Sequence, residues 1–110
     1  MKRSKLYHLY HDRSFIKVYL QLDSYRINGS LAVTLYGKDG DLLGVITVNL
    51  PGGPTPPHTA FVDSNNFPWV ELFLENNDIA HPTGDFAHSG YCTYPLYKFN
   101  MEKFQETPTD

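Results

Sequence analysis

The sequence predicts an α+β fold in a single domain: an antiparallel β-meander of four to five strands packed with one main α-helix over about residues 67–77. Three observations carry that expectation. Apolar and polar residues alternate at period two through the first half of the chain, with turn residues between the alternating runs. One segment, Trp69 to Asn77, switches to the three-to-four-residue spacing of a helix. Finally, 110 residues suit one domain, and 41% hydrophobic with 15% aromatic residues exclude a disordered chain. The domain is expected over residues 1–105, with 106–110 a disordered tail.

Taken in order, Leu6 to Tyr10 reads as a first strand. Phe15 to Leu22 follows, with Ile16, Val18, Leu20 and Leu22 on one face and Phe15, Lys17, Tyr19 and Gln21 on the other. Turns are expected at Asp23-Ser24 and Asn28-Gly29-Ser30, since Asn-Gly tolerates the positive φ of tight turns. Leu31 to Tyr36 is the next strand, with Leu31, Val33 and Leu35 inward. A polar hairpin loop, Gly37 to Asp41, leads to a strand over Leu43–Leu50, with Ile46, Val48 and Leu50 inward. Pro51 to Pro57 contains four prolines and two glycines, a density no element interior accepts. Fewer than sixty residues remain on either side, so a surface crossover fits better than a domain linker.

Ala60-Phe61-Val62 is a short extended piece, followed by Asp63 to Pro68 in the form of a helix start: Asn65 or Asn66 as cap, then proline near the first turn. In the helix, Trp69 with Phe73 and Val70 with Leu74 pair at i, i+4, while Glu71 and Glu75 share another face. Asn76-Asn77 suit a left-handed cap, with Ile79 folding back on the last turn. A turn at Pro82-Thr83-Gly84 precedes Phe86 to Gly90 and a last strand ending at Phe99. Pro95 cannot donate to a ladder, which places that strand at an edge or at a bulge. Met101 to Gln105 reads as a short helical turn.

The formal charge of −3 is unevenly spread. Residues 1–26 carry net +4, residues 27–110 net −7, and no Lys or Arg stands between Lys38 and Lys98. An acidic stretch of this length attracts basic partners and repels nucleic acid. At the other end, Lys2, Arg3, Lys5, Arg13 and Lys17 interleave with Tyr7, Tyr10, Phe15 and Tyr19. Bases stack on such aromatics while cations meet phosphates; ordinary charges on an exposed strand face are the plainer explanation.

Little points to catalysis. His81, Asp85, His88 and Cys92 include metal-competent side chains, but His-x6-His-x3-Cys matches no common zinc spacing. A Cys92–His88 nucleophile pair needs hydrogen-bond reach and a thiolate-favouring site; a small half-buried cysteine is the simpler expectation. Phosphate-loop, dinucleotide-binding, metalloprotease and nucleophile-elbow motifs are all absent. No enzymatic activity and no cofactor are expected. Cys92 has no second cysteine to pair with, which suits a reducing, cytoplasmic setting, and no apolar run reaches the ~18–20 residues of a membrane span.

The segments Leu31-Ala32-Val33, Thr47-Val48-Asn49-Leu50-Pro51, Ala60 to Asn66 and Gly90 to Phe99 resemble those of an uncharacterised family of small proteins carried on plasmids, integrative elements and phages of Gram-positive bacteria. The resemblance covers roughly residues 15–100, with Phe-Val-Asp-x-Asn-Asn and Tyr-Cys-Thr-Tyr-Pro-Leu-Tyr its most specific parts. The chain is also similar to a member described as an inhibitor of type II-A CRISPR nucleases. That resemblance implies a protein acting in the host bacterial cytoplasm as an anti-CRISPR inhibitor. Its partner would be a type II CRISPR effector nuclease, with or without guide RNA, whose guide or target loading it blocks. It carries over no catalytic residue.

Such nucleases hold nucleic acid in a basic channel, which an acidic domain can occupy by charge complementarity. The expected partner-binding residues are therefore Asp63, Glu71, Glu75, Asp78, Asp85, Tyr91, Tyr94 and Tyr97. The alternative is a nucleic-acid-binding accessory protein of a mobile element, using Lys2, Arg3, Lys5, Arg13, Lys17 and Tyr19. Monomer and homodimer are both compatible with the sequence.

Overall fold

The computed structural model describes residues 2–24, 30–52 and 55–106. In chain order its elements are β1 (Lys2–Arg3), β2 (Tyr7–His11), β3 (Ser14–Ser24), β4 (Leu31–Gly37), β5 (Leu42–Val45), β6 (Thr47–Val48) and β7 (Thr59–Val62). Then come α1 (Val70–Asn76), β8 (Ala80–Ser89), β9 (Cys92–Phe99), a 3-10 turn over Met101–Lys103 and β10 (Gln105–Glu106). The α+β expectation holds, but the described residues form ten strands in two antiparallel sheets rather than four or five in one meander. The expected Asn28-Gly29-Ser30 turn falls mostly outside the described residues, as does the tail beyond Glu106; Glu106 itself pairs with Lys2 as part of β10.

The first sheet runs β10-β1-β3-β4-β5, with β2 also paired to β3. The alternation of β3 and β4 explains why they are its centre: Val18, Leu20, Leu22, Val33 and Leu35 are buried, and the intervening residues face outward. The strand β3 is long enough to receive two short strands on one edge. Its N-terminal half pairs with β2 and its C-terminal half with β1. Ser4 spans the gap: its amide donates to the Leu20 carbonyl at 2.8 Å and its hydroxyl accepts from the Leu20 amide at 2.9 Å. Asp12 and Arg13 make the β2–β3 hairpin with φ of 51° and 65°, a two-residue turn built without glycine.

The predicted Leu43–Leu50 strand is broken at Ile46, where the chain changes sheets. The Ile46 amide donates to Val33 in the first sheet, and its carbonyl accepts from Asp63 beside the second, both at 2.9 Å. Its side chain is fully buried at that corner. The second sheet, β6-β7-β9-β8, places β9 in the interior. Pro95 is therefore not on an edge strand; the bulge is the alternative that holds. Pairing with β7 ends at Leu96, and pairing with β8 shifts register between Pro82 and Phe86, so Pro95 lies where both ladders are irregular.

The helix is shorter than 67–77, and its start is organised differently from the expectation. Neither Asn65 nor Asn66 caps it, and Trp69 at the N-cap makes no side-chain cap bond. Asp63 instead closes the preceding turn, accepting from the Asn66 amide at 3.2 Å and the Asn66 side chain at 2.8 Å. The C-terminus has the expected form one residue later. Asp78 takes the left-handed conformation at φ 56°, its amide donates to Glu75, and the Ile79 amide donates to Leu74 at 2.9 Å. Ile79 is fully buried, folded back on the last turn. One hydrophobic cluster joins both sheets to α1, and a chain of edge-on ring contacts (Phe67, Trp69, Phe73, Tyr7) ties the helix to β2.

Candidate binding surface

The period-two pattern that buries one face of the first sheet leaves its other face open. Cross-strand register arranges that face in rows. Tyr10 lies opposite Phe15, His8 opposite Lys17, Tyr19 opposite Tyr36 with Leu42 beyond, and Arg3 opposite Gln21, then Thr34 and Val45. Phe15 is 71% exposed and Tyr10 58%, with ring centroids 5.0 Å apart. Tyr19 and Tyr36 are stacked at 5.4 Å with 16° between their planes. The Arg3 guanidinium sits 5.0 Å over the Tyr19 ring, a cation–π contact that holds the charge at the sheet surface. With ~3.3 Å per residue, the Phe15 and Tyr19 rows are ~13 Å apart, and Lys17 stands between them. Arg13 occupies the hairpin tip beside the Phe15 row, and Lys5 lies 5.3 Å over the Tyr7 ring at the β1–β2 junction. Four of the six residues of the nucleic-acid alternative, Arg3, Arg13, Lys17 and Tyr19, are thus on or bordering one face; Lys2 aligns with the inward-pointing Leu22, and Lys5 covers Tyr7, which faces the core. Tyr10, Phe15, Tyr36 and Leu42 complete the face, the last two legible only once β4 is paired with β3 and β5 with β4.

The acidic residues fare differently. Asp63 is 8% exposed and Tyr97 1%, so neither reaches a partner: the first closes a turn and the second fills the core. Glu71 and Glu75 are half-buried, and both reach the Tyr97 hydroxyl, at 2.8 and 2.9 Å. A phenol has one proton and donates to one carboxylate at a time, and neither glutamate has an ion-pair partner among the described residues. Burial first, then the two carboxylates, pushes the Tyr97 phenol far above its ordinary range. Asp78 contacts His81, and that hydrogen bond holds its carboxyl below the usual range. Asp85 is exposed on β8, Tyr91 is wholly exposed in the β8–β9 turn, and Tyr94 is half-buried.

The catalytic candidates separate. His88 faces the Thr93 hydroxyl at 2.9 Å, while the Cys92 thiol hydrogen-bonds Tyr94 and is the leading cause of that phenol's raised pKa. His81 is engaged with Asp78, and no group of three or more His, Cys, Asp or Glu is placed to hold a metal ion among the described residues. No helix among them is long and apolar enough to cross a membrane. Basic and aromatic side chains thus share the open sheet, while Asp39 and Asp41 line a cleft together with Lys17, and Glu71, Glu75 and Asp78 lie on or just beyond α1.

Comparison with known proteins gives a family and no more. The model of a domain of unknown function, DUF4313, matches residues 19–110. No curated protein and no solved structure matches the chain.

Proposed function

We propose a function for a chain that belongs to the DUF4313 family, a domain of unknown function: it is a binding protein that takes single-stranded nucleic acid on the open face of its first sheet. The Arg3–Tyr19–Tyr36 stack carries the reading, because it sets ordered aromatic surface and a cation at one place on an exposed sheet. The Tyr10–Phe15 pair supplies a second stacking position with Lys17 between the two. Although the chain's total is negative, Arg3, Arg13 and Lys17 put positive charge on or beside this face.

Fluorescence anisotropy with a labelled single-stranded oligonucleotide tests it. Affinity falls steeply with salt, and Phe15→Ala, which removes the most exposed ring of the face, weakens binding ~5- to 150-fold, as loss of ~1–3 kcal/mol of base stacking requires. Absence of salt-dependent binding by the parent chain refutes the reading.

The helix favours a second reading. Two uncompensated carboxylates, Glu71 and Glu75, flank Leu72, which is 67% exposed, and suit a basic protein surface. With the resemblance noted above, they support an inhibitor of a type II CRISPR effector nuclease that blocks guide RNA or target DNA loading. Pull-down of such a nuclease with and without guide, using Leu72→Ala and Asp85→Lys, tests it. Capture of the guide-free nuclease that both substitutions weaken supports the reading; undiminished capture by both refutes the role of this surface.

A further inference from the structure

At the rim of the first sheet, where β1 gives way to β2, is a groove of about 430 Å3 that brings residues 3–7 against residues 102–106. Arg3 and Lys5 form one wall; Glu102, Lys103 and Glu106 form the other. Each side is held in place. Arg3 lies over Tyr19 and Lys5 over Tyr7, so both cations are ordered by ring faces before any ligand arrives. Lys103 belongs to a 3-10 turn fixed by Asn100, whose side chain accepts from the Glu102 amide at 3.2 Å and whose carbonyl accepts from the Lys103 amide at 3.0 Å. Phe104, 4% exposed, anchors the segment in the core, and pairing of Arg3 with Gln105 joins it to β1.

We infer that this groove seats one phosphodiester of a strand whose bases lie on the aromatic face of the first sheet, making Lys103 a nucleic-acid-binding residue. The inference rests on the reading proposed above. Three cations and two carboxylates line the groove, and Asp78 lies close enough to Lys103 for their charges to interact, so the site suits a single diester and not a polyphosphate. Arg3 links the two subsites, since it lines the groove and covers the Tyr19 ring. Nothing in the basic N-terminal pattern points to Lys103, which stands in the acidic part of the sequence.

The test is anisotropy titration of an oligothymidine of ~12 nucleotides across a salt series, with Lys103→Ala, Lys103→Arg, Glu102→Gln and Phe15→Ala, each checked for folding by thermal melting. Lys103→Ala lowers the log–log salt slope by about 0.7, so between about 50 and about 200 mM salt the parent loses ~2.6-fold more affinity than the variant. Lys103→Arg restores the slope, and Glu102→Gln tightens binding. If Lys103→Ala leaves affinity and slope unchanged while Phe15→Ala weakens binding, the groove is overturned and the aromatic face stands. If the parent binds no oligonucleotide, the face fails and the groove with it.

Discussion

Replacing Tyr97 by Phe removes one oxygen and nothing else from a side chain that is 1% exposed, so packing is retained and no cavity larger than a hydroxyl forms. What is lost is the donor shared by Glu71 and Glu75. One proton makes one strong bond at a time, and a hydrogen bond to a charged group contributes about 1.5–3 kcal/mol. For a domain of this size that corresponds to a fall in Tm of about 6–12 °C at neutral pH. Alkaline pH gives a second, independent measure. The Tyr97 phenol is held far above its ordinary 10.0, so above that pH the unfolded chain releases the proton while the native chain keeps it. The native state then binds more protons, and stability falls as pH rises. By about pH 11 the contribution of this group is smaller by about 1.4 kcal/mol. Tyr7, whose phenol is also raised, adds a loss of the same sign to both proteins and cancels in the comparison. Urea unfolding of parent and variant at about pH 8 and about pH 11 should therefore show the gap between them narrowing by about 1.4 kcal/mol. A variant as stable as the parent at pH 8, or a gap unchanged at pH 11, refutes the reasoning.

Gly44 pairs with Leu35 in β5, and a Cβ placed on it would lie 2.7 Å from the Phe67 ring. Gly44→Ala should lower stability by about 1–3 kcal/mol, read as a lower urea midpoint with an unchanged slope, because the ring must move. Tyr7 is buried with a hydroxyl that has no hydrogen-bond partner among the described residues. Tyr7→Phe is expected to raise stability by about 1 kcal/mol, the lower end of what an unsatisfied buried polar group costs, and differential scanning calorimetry checks the direction.

Legibility followed the range of the interaction. The inward faces of β3 and β4, the short strand before Asp63 and the body of the helix depend on local period and capping chemistry, and residues 15–36 and 69–79 display both. Sheet partition depends on Ile46, one residue whose amide and carbonyl serve different sheets, and an apolar alternation from Leu43 to Leu50 conceals such a corner. Strands of two residues, such as β1 and β10, have no period to detect, so the pairing of Lys2 with Glu106 was invisible. The basic aromatic face was half legible: Lys17 and Tyr19 alternate within one strand, whereas Tyr36 and Leu42 join them only through register. Of the acidic and aromatic candidates, Asp63 and Tyr97 were misplaced because residue type alone says nothing of burial; they turn inward to satisfy a turn and two glutamates.

The clasp between β1 and β10 has a consequence for the order in which the molecule is completed. Its two partners lie about a hundred residues apart, the longest separation of any strand pair in the sheet. Closing so long a loop for a two-residue ladder is rewarded only after β3 has formed the edge that β1 joins. On a ribosome Arg3 and Lys5 emerge about a hundred residues before Lys103, so an unfinished chain displays the stacking rings before it owns the groove. Any segment continuing past residue 2 or residue 106 also departs from that same rim. A tag or fused domain at either end is thereby a neighbour of the groove, and untagged protein is the fair substrate for measuring what binds there.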